Sequence, residues 1–177
     1  TQEITALGRH LSHMPLDVHL GKFLLVAVLF RCVDPALTIA AVLSSKSPFV
    51  TPIGQERNAQ RMKASLLQGE SDFFTYAYIF MLWRKHMRTG NAKRFCTQHY
   101  LSSDVLFQIE DLRQQYLSYL IDSGFMRDDG IRRELSRSRR GARPRLVDVP
   151  AEFNVRGDEP AAVMLALTAA LYPKVLA

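Results

Sequence analysis

The chain has 177 residues, 47% of them hydrophobic and 10% aromatic, enough to bury one substantial core. Its longest uninterrupted apolar run, Phe23 to Phe30, stops at Arg31, well short of the roughly 20 residues that cross a bilayer, so it reads as a core helix and implies no membrane partner. The formal charge of +6 is confined to one segment: Arg132, Arg133, Arg137, Arg139, Arg140, Arg143 and Arg145 fall there with the single acid Glu134, and the rest of the sequence balances to zero, so any broad attraction to phosphates has to come from that segment or from small local clusters.

In chain order, Leu20 to Cys32 is apolar almost all round, as is Ala36 to Leu43, and such helices belong at the centre of a bundle. Asp34-Pro35 between them reads as an N-cap and first helical residue, with a helix running to about Ser44. Ser44 to Pro52 breaks the periodicity with serines and prolines. A polar helix then runs from Gln55 to Gln68 with Ala59, Met62 and Leu66 on one face, and Gly69 stops it. Ser71 caps the next helix, which carries Phe73, Tyr76, Ile79, Phe80 and Trp83 at helical spacing and ends at Gly90-Asn91. After a short element from Phe95 to Tyr100, Ser102 or Ser103 caps a long helix with Val105, Ile109, Leu112, Tyr116 and Leu120 inward. Gly124 closes it, with Phe125 placed for a Schellman-type contact.

From Arg127 to Gly157 the sequence is arginine-rich, weak in apolar periodicity and punctuated by Gly and Pro, which reads mostly as a mobile insertion with one short strand near Leu146 to Val149. A last apolar helix begins at Asp158 and Pro160, fills Ala161 to Tyr172 and stops at Pro173. The class is all-α, without repeat or heptad register.

Recognisable catalytic chemistry is missing. The one Gly-Lys pair, Gly21-Lys22, follows Leu16 where a phosphate-cradling loop wants Gly and precedes Phe23 where it wants Ser or Thr, and there is no DExH strand, GxSxG elbow or HExxH pair. This segment is therefore expected to be no enzyme and to hold no cofactor. Cys32 and Cys96 lie far apart without short-spaced metal ligands, which suits reduced thiols inside a cell. His10, His13 and His19 fit no common zinc spacing and read as surface or partly packed histidines, so no metal is expected. The chain lacks a starting Met and a secretory pattern and begins mid-pattern, as a piece of a longer polypeptide would.

The stretch ITALGRHLSHMPLDVHLGKFLLVAVLFRCVDPALTIAAVLSSKSPFVTPIGQE, from Ile4 to Glu56, resembles the start of the ratchet, or helicase-associated, region of DEAH/RHA-type ATP-dependent RNA helicases. SDFFTYAYIFMLW, FCTQHYLSSDVLFQIEDLRQQY and AAVMLALTAALYPKVL resemble later helices of the same region, nearest in wording to the multi-domain, cytoplasmic RHA-like subgroup. Residues 1 to about 126 and 161 to 176 carry the resemblance; the arginine-rich segment lies outside it. Phe73, Tyr78 and Asp104 depart from the family's usual His, Asn and frequent Arg, and the acid at Asp104 would repel phosphate.

The resemblance implies a helical bundle with a remnant of the preceding winged-helix domain over 1–18, the ratchet bundle over 19–126, the arginine-rich insertion over 127–157 and a closing helix over 158–177. It implies an accessory RNA-channel domain in an intracellular, cytoplasmic helicase. ATP and Mg would be used by motor domains elsewhere in the polypeptide, which, with an oligonucleotide-binding (OB) fold, would be this segment's intramolecular partners. The single-stranded RNA path would run past Ser44, Lys46, Thr75, His99, Ser102 and Ser103, since hydroxyls and a lysine suit sequence-independent tracking of phosphates and sugars. Helix capping explains Ser102 and Ser103 equally well, and Lys46 could equally be a solvated loop residue. Trp83 and Phe49 read as core rather than base-stacking groups. The arginine run is either a nucleic-acid arm or a solvated linker. An alternative function is a regulatory module that docks protein cofactors or ribosomal components.

Overall fold

The computed structural model describes residues 17–67, 69, 71–141 and 145–171. Among them the chain is a bundle of eight α-helices: α1 (Val18–Leu29), α2 (Val33–Leu43), α3 (Glu56–Ser65), α4 (Asp72–Arg88), α5 (Ala92–Gln98), α6 (Ser103–Asp122), α7 (Ile131–Arg139) and α8 (Pro160–Leu171). The all-α class holds over these residues. The winged-helix remnant expected over 1–18 lies almost wholly outside the described residues, as do His10, His13 and the stop at Pro173.

The centre is α2. Val33 and every residue from Ala36 to Ala41 are buried, and the helix packs on α1, α4 and α6, while α1 also packs on α8. The small residues Ala36, Ala40, Ala41, Ala166 and Ala170, all buried, allow these apolar helices to approach closely. Trp83 is fully buried, edge-on to Phe107 at 5.1 Å between ring centroids, in keeping with its core assignment. Phe49 is partly buried against Tyr76, with the Lys63 ammonium over its ring at 5.1 Å.

Two helix ends follow the sequence reading. Ser102 Oγ accepts from the Val105 N–H at 3.3 Å and caps α6. At the other end the Gly124 N–H donates to the Ile121 carbonyl and the Phe125 N–H to Leu120, each at 3.0 Å; this is the Schellman pairing, and Gly124 takes the left-handed φ of 77° that it requires. The cap of α2 differs. Asp34 lies inside the first turn rather than before it, and its own N–H is capped by Asn154 Oδ1 at 3.1 Å from 120 residues away. A Cβ at Gly157 would stand 2.3 Å from that same Asn154 oxygen, so glycine there leaves room for the capping side chain.

The largest departure concerns residues 127–157. Instead of a mobile insertion, Ile131–Arg139 forms α7, with Ile131, Leu135 and Ser138 buried and α6 beneath it. The stretch from Arg145 to Pro150 is an irregular strap with no strand, yet Val147 is buried. Three inward residues in nine are too sparse to register as apolar periodicity. Polar contacts to the strap hold the segment instead.

Candidate nucleic-acid interface

The loop after α2 and the turn before α6 lie side by side. Phe49 and Leu101 form an antiparallel bridge; the Val50 N–H donates to the Tyr100 carbonyl at 2.9 Å and the Ser102 N–H to the Pro48 carbonyl at 2.8 Å. Tyr100 Oη donates to Gln55 Oε1 at 2.9 Å. These bonds fasten the Lys46 loop to the start of α6, so five of the six predicted contacts come from two adjoining segments.

Their side chains differ in freedom. Lys46 is exposed. Ser44 ends α2, returns its hydroxyl to the Ala40 carbonyl at 3.0 Å and bonds the buried Tyr116. Ser102 caps α6, and Ser103, half-buried, bonds Cys96, whose thiol burial pushes up to about 11. The His99 ring lies tilted against Phe95, 4.4 Å between centroids, and directs Nδ1 to the Phe95 carbonyl at 2.8 Å. Thr75 corrects the sequence expectation: it is 1% exposed inside α4, its hydroxyl on the Ser71 carbonyl at 3.3 Å, and so cannot touch a strand running over the surface.

A cluster of buried ions escaped the sequence reading. Glu110, fully buried on α6, sits between Arg84 Nε at 3.9 Å and Arg113 Nε at 3.7 Å. Its Oε1 accepts from Gln114 Nε2 at 2.9 Å and from the Val147 N–H at 3.1 Å. Arg113 donates to the Asp34 carbonyl at 2.7 Å, to the Asp34 carboxylate and to Thr38 Oγ1. Arg84 donates to the Val147 carbonyl at 2.8 Å and to Asp148 at 2.9 Å, where Arg88 joins at 2.6 Å. Burial by itself would raise the Asp34 carboxyl, but Arg113, through charge and hydrogen bond, and then Arg84 and Arg88 outweigh it and hold Asp34 below the ordinary aspartate range. Glu110 and Arg113 are neighbours on α6, but Asp34, Arg84 and Asp148 come from α2, α4 and the strap, so no local pattern announced the whole cluster. What it can do chemically is fix α2, α4, α6 and the strap relative to one another.

Of the seven arginines in the basic segment, Arg143 lies outside the described residues. Arg132 is engaged by Asp122 at 3.0 Å and Asp128 at 3.4 Å. Arg133, Arg137, Arg139, Arg140 and Arg145 are exposed and form no ion pair among the described residues.

Residues 17–76 match the helicase-associated domain (HA2), ratchet-like. The chain belongs to the ratchet-like helicase-associated family. Over 99% of its length it is 35% identical to human DHX57, to which ATP-dependent RNA helicase activity is ascribed, and over 98% it is 34% identical to the human ATP-dependent DNA/RNA helicase DHX36. It is 42% identical to the DExH-box ATP-dependent RNA helicase DExH1 of Arabidopsis thaliana over 71% of its length. The chain spans only 13–16% of the length of these relatives. In this ratchet-like domain α1, α2 and α3 lie within the matched residues, together with the first turn of α4. Both α7 and the ion cluster's partners on α6 lie beyond them. Among the described residues no helix is long and apolar enough to cross a membrane.

Proposed function

We propose that the chain is an accessory RNA-channel domain of an ATP-dependent, cytoplasmic DEAH/RHA-type RNA helicase. It grips single-stranded RNA while motor domains elsewhere in the polypeptide bind ATP and Mg and drive translocation. A motor whose two halves open and close needs a third surface against which the strand is held, or slippage wastes each cycle. The observation that carries the reading is the bonded pairing of the Lys46 loop with the 99–103 turn. It lines up an exposed cation, serine hydroxyls and an imidazole on a braced edge, a set suited to phosphates and sugars rather than base identity. Asp104, exposed in the first turn of α6, limits how close a phosphate comes to that end.

The test is the full-length helicase carrying Lys46→Ala together with Ser102→Ala. RNA stimulation of its ATPase and its unwinding rate should both fall while unstimulated ATPase stays unchanged; stimulation and unwinding at wild-type levels would overturn the site. A second reading, a regulatory module docking protein cofactors or ribosomal components, is favoured by a different feature. A groove of about 720 Å³ between α2, α4 and α8 is lined by Phe74, Tyr78, Met81, Val163 and Met164, and Met81 and Met164 stand 52% and 41% exposed. Apolar side chains gathered this way suit cover by another domain.

A further inference from the structure

We propose that α7 is a rigidly mounted phosphate-binding ridge in which Arg133, Arg137 and Arg140 engage the backbone of single-stranded RNA at a site separate from the Lys46 loop. With 3.6 residues per turn these three arginines fall within about 60° of one another on the helix surface and spread over about 10 Å of its length. The buried stripe of Ile131, Leu135 and Ser138 lies on the opposite side, so the arginines point away from the bundle, and all three are exposed. Arg140 keeps helical backbone angles as the C-cap, which preserves the register. Arg132 is excluded because Asp122 and Asp128 hold it on the flank.

The mounting makes the ridge a site rather than a loose charge run. Ser138 Oγ accepts the Arg145 N–H at 2.8 Å and donates to the Arg145 carbonyl at 3.0 Å, which also takes Gln114 Nε2 at 2.5 Å. Two residues on, the Val147 carbonyl and N–H are held by Arg84 and Glu110 of the buried ion cluster. Ser138 thus ties α7 to the strap, and the strap is fixed to α6 and α4, so the guanidiniums are presented at little ordering cost for the backbone. Three cations repeating along one line fit a polymer of evenly spaced phosphates better than the irregular surface of a folded acidic protein. This inference shares with the proposed function only the premise that the ligand is an RNA strand.

The test uses a labelled oligouridylate of about 20 nucleotides with the full chain, followed by anisotropy between about 50 and 200 mM salt. Exchanging Arg133, Arg137 and Arg140 together for Gln should lower affinity on the order of tenfold or more and flatten the slope of log affinity against log salt by about 2, from about 0.7 per phosphate neutralised. Lys at the same three positions should restore most of that slope, and Arg132→Gln should leave it unchanged. The proposal is overturned if the wild-type chain does not bind at the lowest salt, if the Gln variant keeps wild-type slope and affinity, or if a polyglutamate peptide of equal charge binds as tightly as the RNA, which would make the ridge a protein-docking surface. Loss of slope here with intact function of the Lys46 and Ser102 variant would sink the loop site and leave the ridge standing. The reverse pattern would do the opposite.

Discussion

Two sets of arginines in this chain meet opposite fates. Arg84 and Arg113 are 6% and 2% exposed, wrapped around the buried Glu110 and reaching Asp34 and Asp148, whereas Arg133, Arg137 and Arg140 stand in solvent on a helix that those buried charges help to hold. The contrast teaches that arginine composition says little until the partner acids are placed in space. A guanidinium that finds a carboxylate from another helix becomes an internal strut; one that finds none on its own face stays available for a ligand.

The comparison breaks most visibly at Glu110. Removing its carboxylate with Glu110→Ala leaves two guanidiniums facing each other out of water, and loss of one partner from a buried ion pair costs about 3–5 kcal/mol. Urea unfolding should show a loss of unfolding free energy of that size. A loss under about 1 kcal/mol would mean that the cluster is not a strut. Next in size, Leu135→Ala deletes the central apolar contact of α7, for which core leucines lose about 2–5 kcal/mol; the low end is expected for so short a helix, and the same variant should expose the strap amides, including that of Val147, to hydrogen exchange.

A third effect depends on pH. Because Asp34 titrates below its unfolded value, its contribution is fully present above about pH 4 and is lost as pH falls through the folded value. Asp34→Asn should therefore lower stability at neutral pH and flatten the acid limb of the stability curve. An acid limb of unchanged steepness would mean that Asp34 is not coupled to Arg113.

Much of the bundle was legible because its helices follow local rules. The Ser102 cap, the Gly124 terminator and Trp83 at helical spacing among Phe80 and Ile79 each depend on residues a few positions apart. The proximity of the Lys46 loop to the 99–103 turn came from resemblance, since no local pattern links Phe49 to Leu101. What remained hidden was non-local and polar. Asn154 caps α2 across 120 residues, Asp34 spends its side chain on Arg113 rather than on the cap it could have made, and α7 is fixed by Ser138, Gln114 and Glu110 rather than by a broad apolar stripe. Binary patterning looks for apolar spacing, so a helix held mainly by hydrogen bonds at its edge reads as disorder.

The smallest expected effect tests the other half of the comparison. If Arg133, Arg137 and Arg140 face only solvent, exchanging all three for Gln should change unfolding free energy by no more than about 0.5 kcal/mol. The sign should favour the variant, because Arg133 and Arg137 are like charges four residues apart and their repulsion costs about 0.2–0.5 kcal/mol. That repulsion is screened, so the gain should shrink as salt is raised. A destabilisation above about 1 kcal/mol would show that these arginines pack or pair within the fold, and the distinction between internal struts and ligand-facing cations would no longer describe this molecule.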